Sequence, residues 1–593
     1  MNLQFVREKP TVIALVALLG MYGCQSSESE STQESSSDTG SVEDDAAPLP
    51  EHDFSETVEP EGSTFYPEHV LDVQVTMAPE DWETLRFERR SAVTILGSNC
   101  DEPIPDSYNY YPADVAIDGE LLEQVGVRAK GFVGSINPGR PSLKVKLQEY
   151  QDDFFYKEQK RFTFNNQSTD ATRVATCMAY YIFRKMGVPA SRCNFAHVSA
   201  NELDMGVYAN VEPIKKPMLQ RLFGDDSGNL YEGTVSDLRT GFTARLEKKT
   251  NEEEDDWSDV ERLIAAIEAP DDVFIEKISE VVDIDAFIRF SAVSIMVGHW
   301  DSFSGNANNY YTYHDPTTDK FYFIPWGPDD TFSSTGELSN GQVQSAFGGS
   351  MLARRLFEHP EIRTRYRDTM RSMLNDLWND EEILAELDRM QALLTPHVMN
   401  LSPDEYAAML DATREFLMSR KQTLINAVNA DPPPFSGELP TEPMCLEPVG
   451  TMLIEFEGTW GTLGADDPFA GGSGSMNATY GDFNFNSLQL GPMMGEPGAP
   501  GGTEMFLIGL VSPSQALAVR LSLPTSMIQP GNIVDSLDSR IGTLLILIDF
   551  ATMDPQVMGF LGEGEIRFGH GSNPVPGGLV SASVDAVIWG GRP

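Results

Sequence analysis

Positive charge is what this chain has least of. Its 593 residues carry 42 Lys and Arg against 90 Asp and Glu, a formal net charge of −48. Nucleic-acid partners need basic surface to neutralise phosphates, so the balance argues against that class. There are 8 His and 5 Cys, with no C-x-x-C pair and no His-rich cluster, so nothing suggests a structural zinc site. No G-x-S-x-G is present, and His299 and His314 have no evident Ser or Cys partner, which leaves a nucleophilic hydrolase without a carrier. Asp329 and Asp330 are adjacent, and neighbours on a strand point opposite ways, so they make a poor acid/base couple. Internal repeats are absent. The composition is otherwise globular, 41% hydrophobic and 10% aromatic, and the length exceeds what one core fills, so two or three domains are expected.

The first residues read as an address. Arg7 and Lys9 precede the apolar "PTVIALVALLGMYG", and Cys24 comes next. A basic n-region, an apolar h-region and a small residue before the cleavage point are the pattern of an export signal, too short for a comfortable membrane span. "MYGC" resembles a bacterial lipobox, which makes Cys24 the acylated anchor of an exported lipoprotein at residues 1–24. Gln25 in place of Asp points to the outer membrane or cell surface. Residues 25–64 open with "QSSESESTQESSSDTGSVEDDAAPLPEHDFSE", which is Ser, Glu and Asp with few apolar groups; such a segment is expected to be a disordered tether. In an exported chain the other four cysteines suggest disulfides. Cys177 and Cys193 flank one helix–turn segment and are a candidate pair, leaving Cys100 with Cys445.

Beyond the tether, periodicity predicts an α+β chain. "HVLDVQVTM" reads as a strand, with a helix starting at Pro79 and extending into a long helix face. Asp118-Gly119 marks a hairpin, "SLKVKLQEY" another strand, and "DATRVATCMAYYIFRKMG" a helix with Asp170 as N-cap and Gly187 as stop. "CNFAHVSANELDMGVYANVEPI" is a second hairpin, helices dominate from about 251, and a hairpin turns at Asp315-Pro316 before helices resume near 350. The Pro-rich "DPPPFSGELPTEP" opens a linker at 431–448. From 449 to 593 short strands with frequent Gly and Pro predict a small all-β, sandwich-like domain.

The chemistry concentrates in "HWDSFSGNANNYY", His299 to Tyr311. Asp301 and Asn306 have the D-x-x-x-x-N spacing of a phosphoryl-transfer catalytic loop, in which a carboxylate meets the attacking hydroxyl and hard oxygens hold Mg²⁺. "FYFIPWGPDDTF" brings a second carboxylate, Asp329, after a strand, so Asp301, Asn306 or Asn309, and Asp329 are candidates for one metal site. "RAKGFVGSINPGRPSLKVKL" supplies the counterpart for phosphate. Gly131, Gly134 and Gly139 sit in a loop between strands, where backbone N–H groups approach an anion closely. Arg128 leads into that loop, Lys144 and Lys146 share one face of the next strand, and Glu212 is placed to hold a lysine by ion pairing. Each piece also has a plain reading: a turn, a hairpin loop, a solvated strand face.

Taken in order, "VGVRAKGFVGS", "PSLKVKL", "FTFNNQSTDAT", "YYIFRKMGVPASRCNFAHV", "MGVYANVEPI", "GNLYEG", "HWDSFSGNANNYYTYHDP" and "FYFIPWGPDDTF" resemble the spore-coat protein H (CotH) kinase family across residues 65–430. The resemblance implies an atypical protein kinase-like domain that binds ATP with Mg²⁺ or Mn²⁺ and phosphorylates Ser or Thr of extracellular proteins. It implies Asp301 as the active-site acid, Asn309 as the Asn before the tyrosine pair and Asp329 as the metal carboxylate. Gly327 departs from the family's usual "PWDxD". Asn165, Asn166 and Asp170 also match a family motif, and are read as capping the helix that starts near residue 171. The alternative is a non-catalytic kinase-like coat or adhesion protein.

Overall fold

The computed structural model describes residues 52–591, apart from 55–57, 98–99, 106, 334–337, 340–341, 399–400, 430–434, 436–437, 466, 500 and 551–553. The expected signal peptide with Cys24, and the tether up to residue 51, lie outside the described residues. The end of the expected tether does not behave as one. Phe54 and Thr64 are buried, His52 sits 2.8 Å from Asp315, and Glu59 pairs with Arg192 at 3.1 Å. Aromatic groups this close to the body bury apolar area that the Ser/Glu-rich stretch before them lacks, so packed chain begins before residue 64.

The first unit is a closed seven-stranded barrel. β1 (Val70–Met77) runs to α1 (Pro79–Phe87) and the short α2 (Ala92–Leu96). The helix expected to continue past Pro79 stops at Phe87, and no long helix face succeeds it. Next come β2 (Tyr111–Ile117), β3 (Glu120–Lys130), β4 (Ser142–Lys146) and β5 (Arg161–Asn165), then α3 (Ala175–Lys185), β6 (Cys193–Ala200) and β7 (Leu203–Val211). The order is β1-β2-β3-β4-β5-β7-β6, closed by a parallel β1–β6 pairing. Alternation explains the closure: β1 reads buried-exposed along most of its length, and Val73, Val75, Val115, Val127, Val145 and Phe164 fill the interior. The Asp118-Gly119 turn has positive φ at both residues, 50° and 81°, the geometry a two-residue hairpin requires.

The second unit is helical around a small sheet. α4 (Lys216–Phe223), β8 (Asn229–Gly233) and β9 (Leu246–Lys248) are succeeded by α5 (Ser258–Ile267), α6 (Phe274–Val281) and α7 (Ile284–Val297). The short α8 (Phe303–Asn306) leads into β10 (Tyr310–Asp315) and β11 (Lys320–Pro325), and the sheet order is β11-β10-β8-β9. α7 is buried nearly all round, the signature of a central helix. Helices from Met351 to Asn429 close the unit.

The C-terminal unit, from Glu447 to Gly590, is all β. It is one continuous ten-stranded sheet that curls on itself, so its two halves face each other in the manner of a sandwich around Ile454, Leu507, Val519 and Val584. Among the described residues no helix is long and apolar enough to cross a membrane. Both expected disulfides are formed, Cys177–Cys193 and Cys100–Cys445. The first joins α3 to β6 across 16 residues. Replacing both of its cysteines by alanine is expected to lower the free energy of unfolding by about 2–3 kcal/mol through the freed loop, read by equilibrium denaturation; an unchanged midpoint and slope would mean the bridge constrains nothing.

Candidate active site

The hairpin of β10 and β11 explains how residues far apart in sequence meet. Tyr310 pairs with Pro325 in register, so the residues just before β10 lie beside those just after β11. The Trp326 N–H donates to the Asn309 carbonyl at 3.1 Å. α7 stops at Gly298, whose φ of 73° is a left-handed cap that turns the chain towards this end. Asp301, Asn306, Asn308 and Asn309 therefore face Gly327, Asp329 and Asp330 around one cavity of about 320 Å³, a volume in the range of small-ligand sites.

Asp301 is clamped. Its Oδ1 accepts from Asn306 Nδ2 at 2.7 Å and from Asn308 Nδ2 at 3.2 Å, and its Oδ2 from Asn309 Nδ2 at 2.7 Å and from Asn308 Nδ2 at 3.1 Å. Burial still pushes the carboxyl up to about 6 against these bonds, with the charges of Asp329 and Asp330 adding to the rise. Asp329 is likewise pushed up to about 6, by burial and by Asp330, while Lys130 pulls it back. Asp330 accepts from the Trp300 indole N–H at 3.0 Å. His299 is buried against the Trp326 carbonyl at 3.2 Å and driven down to about 4 by burial, a neutral ring that props the loop.

The opposite wall is cationic. Arg128, Lys130, Lys144 and Lys249 line the cavity with Gly131, Gly134 and Ser135. Arg128 stands over the rings of Tyr108 and Tyr110, and Lys130 lies over the Trp326 ring. Burial pushes Lys130 down to about 8 despite Asp329 and Glu232, and pushes Lys144 well below its ordinary value, with Arg128, Lys130 and Lys249 adding repulsion. Glu232 counters them: although burial opposes its charge, Lys249 at 2.9 Å and Lys144 hold it down to about 2.

The glycine loop is held in place from several sides. Gly131 has φ of 129°, and a Cβ there would come within 2.5 Å of Ser135 Oγ, so the residue must be glycine. Tyr108 donates to the Gly131 carbonyl at 2.6 Å, and Asn166 Nδ2 donates to the carbonyls of Ser135 and Arg140. The "FNNQSTD" segment thus does more than cap a helix. Asp170 does accept from the Ala175 N–H at 2.8 Å and from Thr172, while Asn165, Ser168 and Thr169 line the cavity. The hydroxyls of Ser168 and Thr169 are buried there and have no hydrogen-bond partner among the described residues.

Two expected residues fall elsewhere. Lys146 is on the same strand face as Lys144, but its ammonium is taken by Glu149 at 2.5 Å and stacks on Tyr110, outside the cavity. Glu212 does not pair with a strand lysine. It is buried between Arg192 at 2.7 Å and Arg221 at 2.5 Å, where β7 hands over to α4. The carboxylate facing the lysines is Glu232 instead. Sequence reasoning also missed Lys130, which strand parity with Arg128 gives away, as well as Asn308 and Lys249. Gly327 has φ of 54°, and a Cβ there would meet Asn309 Oδ1 at 3.1 Å, so a side chain at this position would press on the Asn309 amide.

Comparison with known proteins identifies the family. The family described as "CotH kinase protein" matches residues 127–424, half of the chain. The inner spore coat protein H of Bacillus subtilis is 24% identical over 302 residues, covering 47% of this chain and 82% of that protein. Spore coat protein homolog 1 and invasin CotH7 of Rhizopus delemar are each 21% identical, over 286 and 255 residues. Those matches cover 44% and 40% of this chain, and 47% and 42% of the fungal proteins, less than half their length. A crystal structure of the Helicobacter pylori proinflammatory kinase CtkA is 11% identical, covers 49% of this chain and 93% of its own, and has a TM-score of 0.23, a likeness too slight to carry an argument. Asp301, Asp329, the glycine loop and the cationic wall all lie inside the matched residues, and the chain belongs to the CotH kinase family.

Proposed function

We propose that this chain is an exported, lipid-anchored protein kinase that transfers the γ-phosphate of ATP to Ser or Thr hydroxyls of extracytoplasmic or surface proteins. One observation carries the reading: a protein with a net charge of −48 gathers Arg128, Lys130, Lys144 and Lys249 around a single cavity, opposite two partly buried carboxylates. Burial makes each of these charges costly alone. A polyphosphate between them, with a divalent cation on the carboxylate side, offsets both costs.

The donor set fits such a cation. Asp329 and Asp301 offer carboxylate oxygens, and Asn309 and Asn306, whose Nδ2 groups bond Asp301, keep their amide oxygens, all hard ligands of the kind Mg²⁺ and Mn²⁺ take. When bound, the ion neutralises the phosphoryl oxygens. The remaining work falls to the protein. Arg128, Lys130 and Lys144 hold the phosphates, and the Gly131–Ser135 backbone with the free hydroxyls of Ser168 and Thr169 orients them. Asp301, fixed by three amides, accepts the proton of the incoming hydroxyl as the new O–P bond forms and the bond from the γ-phosphorus to the β-bridging oxygen breaks, releasing ADP. Two disulfides agree with export to an oxidising compartment.

A second reading, a kinase-like coat or adhesion protein without catalysis, draws on the names of the relatives and on the large apolar side chains that the β unit exposes, among them Phe483 and Leu488. Thermal melting separates the two. Mg-ATP at a hundredfold excess over Kd is expected to add about 2.7 kcal/mol of stability to the wild type and none to Asp329→Ala. Label from γ-labelled ATP should reach a generic protein acceptor only with wild type. No stabilisation with any divalent metal would leave the scaffold reading standing.

A further inference from the structure

The cavity is not built from the kinase-like residues alone. Met444 and Phe560, both outside the matched segment 127–424, line it together with Leu96 and Phe132. These four side chains belong to one apolar cluster, in which Leu96 and Phe560 are buried members and Phe132 and Met444 pack against them. Cys100–Cys445 ties the segment leading into the β unit to the chain just after α2. Arg245 reinforces the tie, donating to the carbonyls of Cys100 at 3.2 Å and Met444 at 2.7 Å, and the Leu446 N–H donates to the Leu96 carbonyl. The glycine loop runs between this apolar wall and the polar end: Phe132 joins the cluster, while a Cβ added at Gly134 would lie 3.7 Å from the Thr169 methyl. Going along the loop, the lining changes from apolar rings and a thioether to hydroxyls, lysines and carboxylates.

A nucleotide has the same asymmetry. Its base is flat and largely apolar, and its phosphates are charged. We propose that the C-terminal β unit and the segment leading into it complete the nucleotide site: Met444, next to the bridged Cys445, and Phe560 of the β unit cover the base of ATP while the kinase-like residues hold its phosphates. Aromatic and thioether groups suit that role, since both pack on π faces. The inference rests on the cavity taking ATP, as proposed above.

The test compares two probes on the full chain, Mg-ATP and Mg-tripolyphosphate, by calorimetry. Phe560→Ala is expected to weaken ATP about tenfold, the order expected from losing one buried ring, and to leave tripolyphosphate unchanged. Cys100→Ser with Cys445→Ser should act in the same direction. Equal ATP affinity in wild type and Phe560→Ala overturns the inference and leaves the kinase reading intact. A wild type that binds neither probe overturns both. Because Phe560→Ala can also loosen the β unit, the unaltered chain supplies a second measurement. Photolabelling with 8-azido-ATP should mark peptides carrying Met444 or Phe560; label confined to residues before 430 overturns the proposal.

Discussion

Asp301→Asn protein is expected to transfer phosphate about 10²–10⁴-fold more slowly than wild type, the range for losing a positioned general base, while melting close to wild type. The three asparagines that clamp the carboxylate can turn their amides to suit a neutral group of the same shape, so the loop should keep its form. An amide cannot take up the hydroxyl proton, and among the described residues no other aspartate lining the cavity is held in this way: Asp329 faces Lys130, and Asp330 is bonded to Trp300. The buried charge that Asp301 carries is disfavoured by its surroundings, so its removal should not cost stability. Initial rates with γ-labelled ATP and a protein acceptor make the measurement, with a melting curve as the fold control. Unaltered rates would remove Asp301 from the chemistry.

The largest effect on stability is expected at Glu212. Its carboxylate is bonded to the Arg192 N–H at 3.0 Å, to the Arg192 guanidinium at 2.7 Å and to Arg221 at 2.5 Å, with a side chain only 3% exposed. Removing one partner of a buried pair typically costs about 3–5 kcal/mol, and Glu212→Gln leaves Arg221 facing an amide and Arg192 with Glu59 as its remaining carboxylate. The sign with pH comes from the direction of the shift. Burial alone would raise the Glu212 carboxyl, but Arg221 and Arg192 hold it below the ordinary value of 4.5. A depressed folded pKa stabilises above the unfolded value, and that stability is lost as pH falls through the folded one. The gap between wild type and Glu212→Gln should therefore be constant at neutral pH and shrink below about pH 4.5. Urea melts across that window test it; a gap that widens on acidification would assign the arginines other partners.

Glu212 also shows where sequence reasoning runs out. A glutamate at the end of a strand, with lysines on another strand, suggests a pair, but the partners are chosen by how β7 meets α4. Arg192 and Arg221 are close in space because the barrel closes through β6 and the helix folds back, and neither fact is written in local periodicity. Lys146 fails for a related reason: strand parity puts it beside Lys144 correctly, yet Glu149, three residues on, reaches it first. The glycine loop, the hairpins at Asp118-Gly119 and Asp315-Pro316, and the pairing of Cys177 with Cys193 were readable, because each depends on residues near one another in the chain. The length of the helix after Pro79 was not: its last residue, Phe87, is buried beside Gly502 of the β unit, a contact between distant parts of the chain.

The sequence by itself determined the acidic surface, the alternation of strands and helices, the change to an all-β unit after the proline-rich linker, and the residues that carry the family's pattern. Turn chemistry, side-chain period and net charge are local or additive, so they survive without coordinates. Only the tertiary structure decided which charges share the cavity, that Lys130 and Glu232 stand where Lys146 and Glu212 were expected, and that a strand at residue 560 reaches a loop at residue 131. Those contacts depend on barrel closure, on the register of β10 with β11, and on a disulfide spanning 345 residues, and each of these is a relation between distant parts of the chain.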